Sequence, residues 1–504
     1  MKKLKAITCS VFLAAIVHTL AAQSFNFSTA KTWAAQPTLH KINPQYDSFS
    51  AVGILDERLI EYRTEKTEIF IYTYTHRIAH VVNDKGIEMF NKIYIPAYRN
   101  TEISDIKARA VLPNGKVIEV DNSRIKETEE DGDLYKIFAV DGLEKGAEVE
   151  YTFTSKRNLS IFGSEVFQRS NIPYQQARFL LATPAHLKFD AKGYNGFKVS
   201  KDSVIDEERI IAGYSENVGE LEDEKYAFTN PFLQRVDYKL SYNLSTGEAV
   251  RLYTWKDFAK QAYTVYTSRT PKEDKALEGF IKKINISEGS DPLRILAVED
   301  YIKTNINIDR ELIAEDADNL EYIIKNKAAN DEGITRLFAG VFEKAGIQFQ
   351  LVFASDRTSF GLDNELENWN RASDIIIYFP ATEKYISPLS TELRYPYIPY
   401  QLAATRGLFL KGTTIGALTT AIGIWNTIKM EPFEEHAHNM ESTVEFNAGN
   451  DTLIIKSRQV LKGYGATNYR PIYTFLPKDR QEEISKEIVR SVAGNENISN
   501  IEVE

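Results

Sequence analysis

The sequence predicts a multidomain α+β protein in three parts: an N-terminal antiparallel β-sandwich, a central α+β domain, and a β-rich C-terminal domain that reads as incomplete. Two changes of hydrophobic period predict it. From about Ile54 to Asn243, apolar and polar residues alternate in short runs separated by turn residues, as in half-buried strands. From Trp255 the apolar residues recur at helical spacing, and strands return at Phe349. The expected division is a signal peptide over 1–22, a linker over 23–53, the β-sandwich over 54–250 and the α+β domain over 251–400. A second linker over 401–436 and the C-terminal domain over 437–504 complete it.

The first residues are expected to direct export to the periplasm or beyond. Lys2, Lys3 and Lys5 precede an apolar run from Ala6 to Leu20, and Ala21-Ala22-Gln23 offers small residues for cleavage. That run is too short for a permanent anchor, which needs about 20 apolar residues, and "IGALTTAIGIW" (Ile415–Trp425) is about half that length. No transmembrane segment is expected. The chain of 504 residues has one cysteine, Cys9, inside the expected signal. The mature chain would therefore hold no disulfide, no thiolate metal site and no cysteine nucleophile. A net charge of −10 with signs interspersed gives no nucleic-acid footprint.

In the β-rich part, "TEIFIYTYTHRIAHVV" (Thr67–Val82) alternates along one strand. "IKARAVLPNGKVIEV" (Ile106–Val120) reads as a hairpin, since Asn114 and Gly115 accept positive φ. "AEVEYTFTSKR" (Ala147–Arg157) is a further strand. His76 and His80 then face one way, and the reading given to both is half-buried strand surface.

The helical part holds "WKDFAKQAYTVYTSR" (Trp255–Arg269), "EDKALEGFIKKI" (Glu273–Ile284) and "PLRILAVEDYIKTNI" (Pro292–Ile306). "DADNLEYIIKNK" (Asp316–Lys327) lacks the glycine and final glutamate of a calcium loop and reads as a capped helix. In "NKAANDEGITRLFAGVFEKAGIQFQLV" (Asn326–Val352), Ile334, Leu337, Phe338, Val341, Phe342 and Ala345 form one helical stripe. Gly346 ends it, and a strand follows. Further strands are "SDIIIYF" (Ser373–Phe379) and "KYISPL" (Lys384–Leu389). In the tail, Ser442–Gly465 reads as a hairpin, Asp479–Gly494 as a helix and Ile498–Glu504 as a strand.

The helix ending in Ala-Gly-Ile before an apolar strand resembles the core of the bacterial transglutaminase-like, papain-related superfamily. The preceding segments "ARAVLPNGKVIEV" and "DLYKIFAVDGLEKGAEVEY" are similar to a domain of unknown function that often precedes it in secreted bacterial proteins. The resemblance implies a Cys-His-Asp triad, with a thiol activated at a helix N-terminus, a histidine before the next strand and an aspartate before a proline. Counted along this chain, those places hold Asp331, Asp374 and Ser387. Neighbouring registers offer Asn330 or Glu332, Ser373 or Ile375, and Ile386 or Pro388, and none restores the triad.

The resemblance thus implies a relict cleft and no catalytic residue. Asn330, Glu332, Trp369 and Tyr385 are its candidate lining, within a region also rich in Tyr378, Tyr395, Tyr397 and Tyr400. The expected function is a secreted, catalytically inactive binding or assembly module for a peptide, protein or cell-envelope glycan, without a cofactor. The alternative is a hydrolase using carboxylates such as Asp331 and Asp374, or a metal. His436 and His438 in "EEHAHN" are the candidate metal ligands, although a charged linker explains them equally well.

Overall fold

The computed structural model describes residues 31–502 apart from 32, 99, 248, 287–288, 314–315, 416–417, 450, 452, 471–472, 474–475 and 494–500. The expected signal peptide, with Cys9, lies outside the described residues, as does most of the expected last strand. Two compact units form: residues up to Thr254 with the short segment Asp363–Asn368, and Trp255–Leu362 with Trp369 onward. Among the described residues no helix is long and apolar enough to cross a membrane.

A nine-stranded sheet dominates the first unit. Its central hairpin pairs Ala51–Glu65 with Glu68–Val81 and turns at Lys66, whose φ of 56° is left-handed. Outward on one side lie Glu148–Asn158, Thr101–Val111 and Val117–Glu119. On the other lie Tyr174–Pro184, Glu208–Val218 and Lys198–Val199, with Ser203–Ile205 also pairing on Glu208–Val218.

Two three-stranded sheets cover one face. The sheet of Leu187–Tyr194, Arg235–Asn243 and Phe162–Val166 shares a core with Ile60, Tyr62, Phe179 and Leu181 of the large sheet. The sheet of Lys92–Pro96, Asp133–Ala139 and Lys126–Glu130 shares another with Ala108, Ala110, Val149 and Tyr151. The region is β-rich and layered.

It departs from a purely antiparallel sandwich at one seam: Ala51–Glu65 runs parallel to Tyr174–Pro184, with Leu55 opposite Gln176 and Glu61 opposite Ala182. Alternation gives the two strands matching apolar faces in either direction, so the local pattern leaves their relative direction open. The covered face also holds a charge. Asp56 is fully buried; burial opposes its ionisation, but Arg58, Arg77 and Arg169 outweigh that and hold its carboxyl far below the usual range.

In the second unit, helices Trp255–Thr267, Pro271–Ile281, Asp291–Asn305, Leu320–Asn326 and Asp331–Lys344 precede or flank a five-stranded antiparallel sheet. Thr270 and Glu273 close a capping box in front of Pro271. The strand order is Lys384–Ile386, Asp374–Phe379, Gln350–Ala354, Arg406–Ile415, Leu418–Thr427. Phe353, Ile375, Ile377, Phe379, Ile386, Leu408 and Leu410 share the core formed with the helices. Val352, Ala354, Ile376, Tyr385 and Phe409 form a separate core with Ile398, Leu402 and Ile428.

The stretch 401–436, expected as a linker, therefore supplies two strands of this sheet. Leu408 and Phe409 alternate between its two buried faces, which leaves a near-continuous apolar run without a period-2 signal. The tail forms the hairpin Ala437–Phe446 with Leu453–Lys462 and the helix Lys478–Ala493, within the same unit.

Candidate functional site

The Asp331–Lys344 helix is the best-buried element near the expected cleft. Ile334, Leu337, Phe338, Val341 and Phe342 have no exposed surface, and Gly346 follows with a φ of 69°. Its N-terminus is capped by Asn330, whose side chain accepts from the Gly333 amide at 2.8 Å. Asp331 forms an ion pair with Arg310 at 3.4 Å, and its carbonyl accepts from the Thr335 hydroxyl at 3.0 Å. Burial, and then the neighbouring Asp318 carboxylate, push the Glu332 carboxyl above its ordinary value. Arg336 bridges Asp318 at 3.1 Å and Glu273 at 3.2 Å. The first turn is an acidic knot, in which Asp331 Oδ1 is buried without a hydrogen bond beyond its ion pair with Arg310.

Asp374 opens its strand opposite Ala354 and accepts from the Ser373 hydroxyl at 2.7 Å. Strand alternation puts it on the side of Ile376, away from the helices. Ser387 is buried just beyond Lys384–Ile386 and donates to the Ser390 oxygen at 3.0 Å. Asp331, Asp374 and Ser387 thus each meet a different neighbour.

Trp369 packs on the helix-side core with its ring 5.5 Å from Phe258. Tyr385 belongs to the opposite core, 5.0 Å from the Tyr378 ring, and its hydroxyl accepts from the Lys429 amide at 3.3 Å. The structure gathers Asn330, Asp331 and Glu332 on one helical turn and places Trp369 and Tyr385 on opposite sides of the sheet.

His436 stacks on Tyr464 at 4.7 Å, and its Nδ1 accepts from the Tyr464 amide at 3.3 Å. His438 Nε2 lies 3.1 Å from Gln459 Oε1. Among the described residues, no group of three or more His, Cys, Asp and Glu side chains is arranged to hold a metal.

The first unit contains a cluster that periodicity alone assigns to ordinary strand surface. His76 is 3% exposed, with Nε2 2.8 Å from Glu150 Oε1 and Nδ1 3.8 Å from Glu57. Arg109 is 1% exposed and lies 2.6 Å from Glu150. Glu148 meets His40 at 2.8 Å and His80 at 3.7 Å.

Burial opposes the charged form of His76, but Glu150 and Glu57 prevail and raise its pKa. The Glu148 bond raises that of His40. Burial works against ionised Glu148 as well, yet the bonds from His40 and His80 lower its pKa to about 2. The sequence signal was present: Glu148 and Glu150 alternate with Val149 and Tyr151, and the register sets Glu148 opposite His80.

Residues 71–218 match the model of a family described as a domain of unknown function with solved structure, DUF3857. No curated protein matches the chain. Among solved structures, one described as a "putative protease" from Parabacteroides distasonis ATCC 8503 is similar at 10% identity and a TM-score of 0.47, over 67% of each chain. An M1 zinc metallopeptidase from Deinococcus radiodurans is similar at 6% identity and a TM-score of 0.21, over 39% of this chain and 44% of that one.

Proposed function

We propose that the chain is an exported, noncatalytic binding or assembly protein whose central domain is transglutaminase-like, with a peptide, protein or cell-envelope glycan as its ligand. The observation that carries this reading is the first turn of the Asp331–Lys344 helix. A helix N-terminus favours a thiolate and would make it nucleophilic, but here an amide and two carboxylates hold that turn. Asn330 caps the helix, Asp331 pairs with Arg310, and Glu332 lies against Asp318. The places the resemblance gives to the histidine and the aspartate hold Asp374 and Ser387, so neither supplies the imidazole that a thiol mechanism needs. The full burial of Ile334, Leu337, Phe338, Val341 and Phe342 supports a retained scaffold.

The test is turnover against binding. Purified protein, with and without divalent metals, is incubated with amide substrates and with peptidoglycan, and its retention on immobilised peptidoglycan is measured. Retention without turnover is the expected result. Turnover that disappears in a folded Asp331→Ala variant would overturn the noncatalytic reading.

A further inference from the structure

The face of the large sheet opposite the two small sheets carries a cavity of ≈ 450 Å³, bounded on one side by the segment 33–43. That volume suits a ligand the size of a monosaccharide or dipeptide. Its floor is apolar, from Ile54, Leu55 and Ile78. Its basic lining is Arg109, Arg178, Lys41, His40 and His76, with Glu150 as the one lining carboxylate and neutral residues such as Gln36, Thr38 and Gln175 between them. Glu150 is engaged by both His76 and Arg109.

These groups are held in place by the fold. Arg109 donates to the Ala34 carbonyl at 2.8 Å and lies 4.0 Å from the Trp33 ring. The His40 amide donates to Glu148 at 2.7 Å, and the Asn43 amide to Gln175 at 3.0 Å. The segment is therefore fixed to the sheet at both ends of the cavity. Arg178 is different: its side chain is 52% exposed, donates to the Gln176 side-chain oxygen at 2.8 Å and approaches Glu57 to 3.7 Å, which holds its guanidinium at the rim.

We propose that this cavity is a binding site for a small carboxylate-bearing ligand, with the carboxylate at Arg178 and Lys41 and the body of the ligand over Ile54, Leu55 and Ile78. A peptide C-terminus and an acidic amino sugar share this chemistry. A guanidinium fork pairs with a planar carboxylate bidentately; Gln176, whose oxygen accepts from Arg178, orients that fork, and the Gln176 amide nitrogen and Thr38 hydroxyl suit the carbonyl or hydroxyl groups such ligands carry. The charge balance limits the ligand to a small anion: Glu57, Glu148 and Glu150 stand close behind Arg109, Arg178 and the imidazoles, and Glu119 lies 3.7 Å from Arg109. The site lies wholly in the first unit and is independent of the noncatalytic reading of the second.

The test is calorimetric titration of the full chain with four probes: N-acetylmuramic acid, neutral N-acetylglucosamine, N-acetyl-alanyl-alanine, and the C-terminal amide of that dipeptide. At least one acid should bind saturably, about tenfold or more tighter than its neutral counterpart. Which acid binds separates the sugar from the peptide source, and binding of both assigns recognition to the carboxylate alone. Arg178→Gln, at the rim, should weaken binding about tenfold with the melting temperature unchanged. Absence of saturable binding by either acid would overturn the proposal, as would equal affinity for acid and neutral forms. So would an Arg178→Gln variant that melts as the parent does and binds equally well.

Discussion

Lys303 and Glu299 form an ion pair one helical turn apart, 2.7 Å between Nζ and Oε1, with neither side chain exposed. The pair also fixes the chain beyond Ser387. Lys303 donates to the Leu393 carbonyl at 2.8 Å, and Glu299 accepts from the Tyr395 amide at 2.6 Å. Lys303→Met removes the ammonium and two hydrogen bonds and leaves the Glu299 carboxyl in a dry site with one amide donor. Breaking a buried pair in this way costs about 3–5 kcal/mol. Glu299→Leu should cost a similar amount, because it strands the ammonium.

The double variant Lys303→Met/Glu299→Leu has no uncompensated charge. Its penalty comes from the orphaned Leu393 carbonyl and Tyr395 amide, together about 2–6 kcal/mol. The two single losses should therefore not add, with a coupling of about 0.5–3 kcal/mol. Urea unfolding followed by tryptophan fluorescence measures this, since Trp255, Trp369 and Trp425 all lie in the second unit. Single variants that lose under about 1 kcal/mol, or a double that equals the sum of the singles, would refute the reasoning.

Other perturbations have defined outcomes. Asn330→Ala, which removes the cap on Gly333, should lower stability by about 1 kcal/mol, whereas Asn330→Asp should be tolerated; thermal unfolding of both variants checks this. Phe342 is fully buried between the rings of Phe338, Phe349 and Phe379, so Phe342→Ala should cost about 3–5 kcal/mol in urea unfolding.

The first unit should show a pH optimum. The raised pKa values of His40 and His76 contribute stability that is complete below pH 6.5 and is lost as pH rises through their folded values. The lowered pKa of Glu148 contributes stability that is complete above pH 4.5 and is lost as pH falls toward about 2. Urea midpoints should therefore peak between these limits, and a midpoint that stays level on the alkaline side would contradict the assignment of the imidazoles.

How much of this could be read from the residues depended on whether the determining contacts were local. The Asp331–Lys344 helix was legible because its stripe and Gly346 lie within one short segment, whereas the Asn330 cap was seen only in the structure. The strand pair of Arg406–Ile415 with Leu418–Thr427 was not, because both faces of Leu408–Leu410 are covered and the glycines and threonines that follow resemble a linker. The parallel seam depends on a partner more than a hundred residues away, about which Ala51–Glu65 carries no local signal. The ionic cluster was half legible. Glu148 and Glu150 break an apolar alternation in plain view, but His40 and Arg109 reach them only through the fold. The acidic first turn could be read directly, whereas the face of the sheet that carries Asp374 required its register.

The parallel seam has a practical consequence for dissecting the protein. The matched span 71–218 begins inside the Glu68–Val81 strand and stops at the last residue of Glu208–Val218, so it omits Ala51–Glu65. That omitted strand is the one joining Glu68–Val81 to Tyr174–Pro184. A recombinant fragment cut to the family boundaries would divide the large sheet in two and leave two raw strand edges free to pair between molecules. A fragment begun ahead of Trp33 keeps the sheet whole, and with it the segment that walls the cavity.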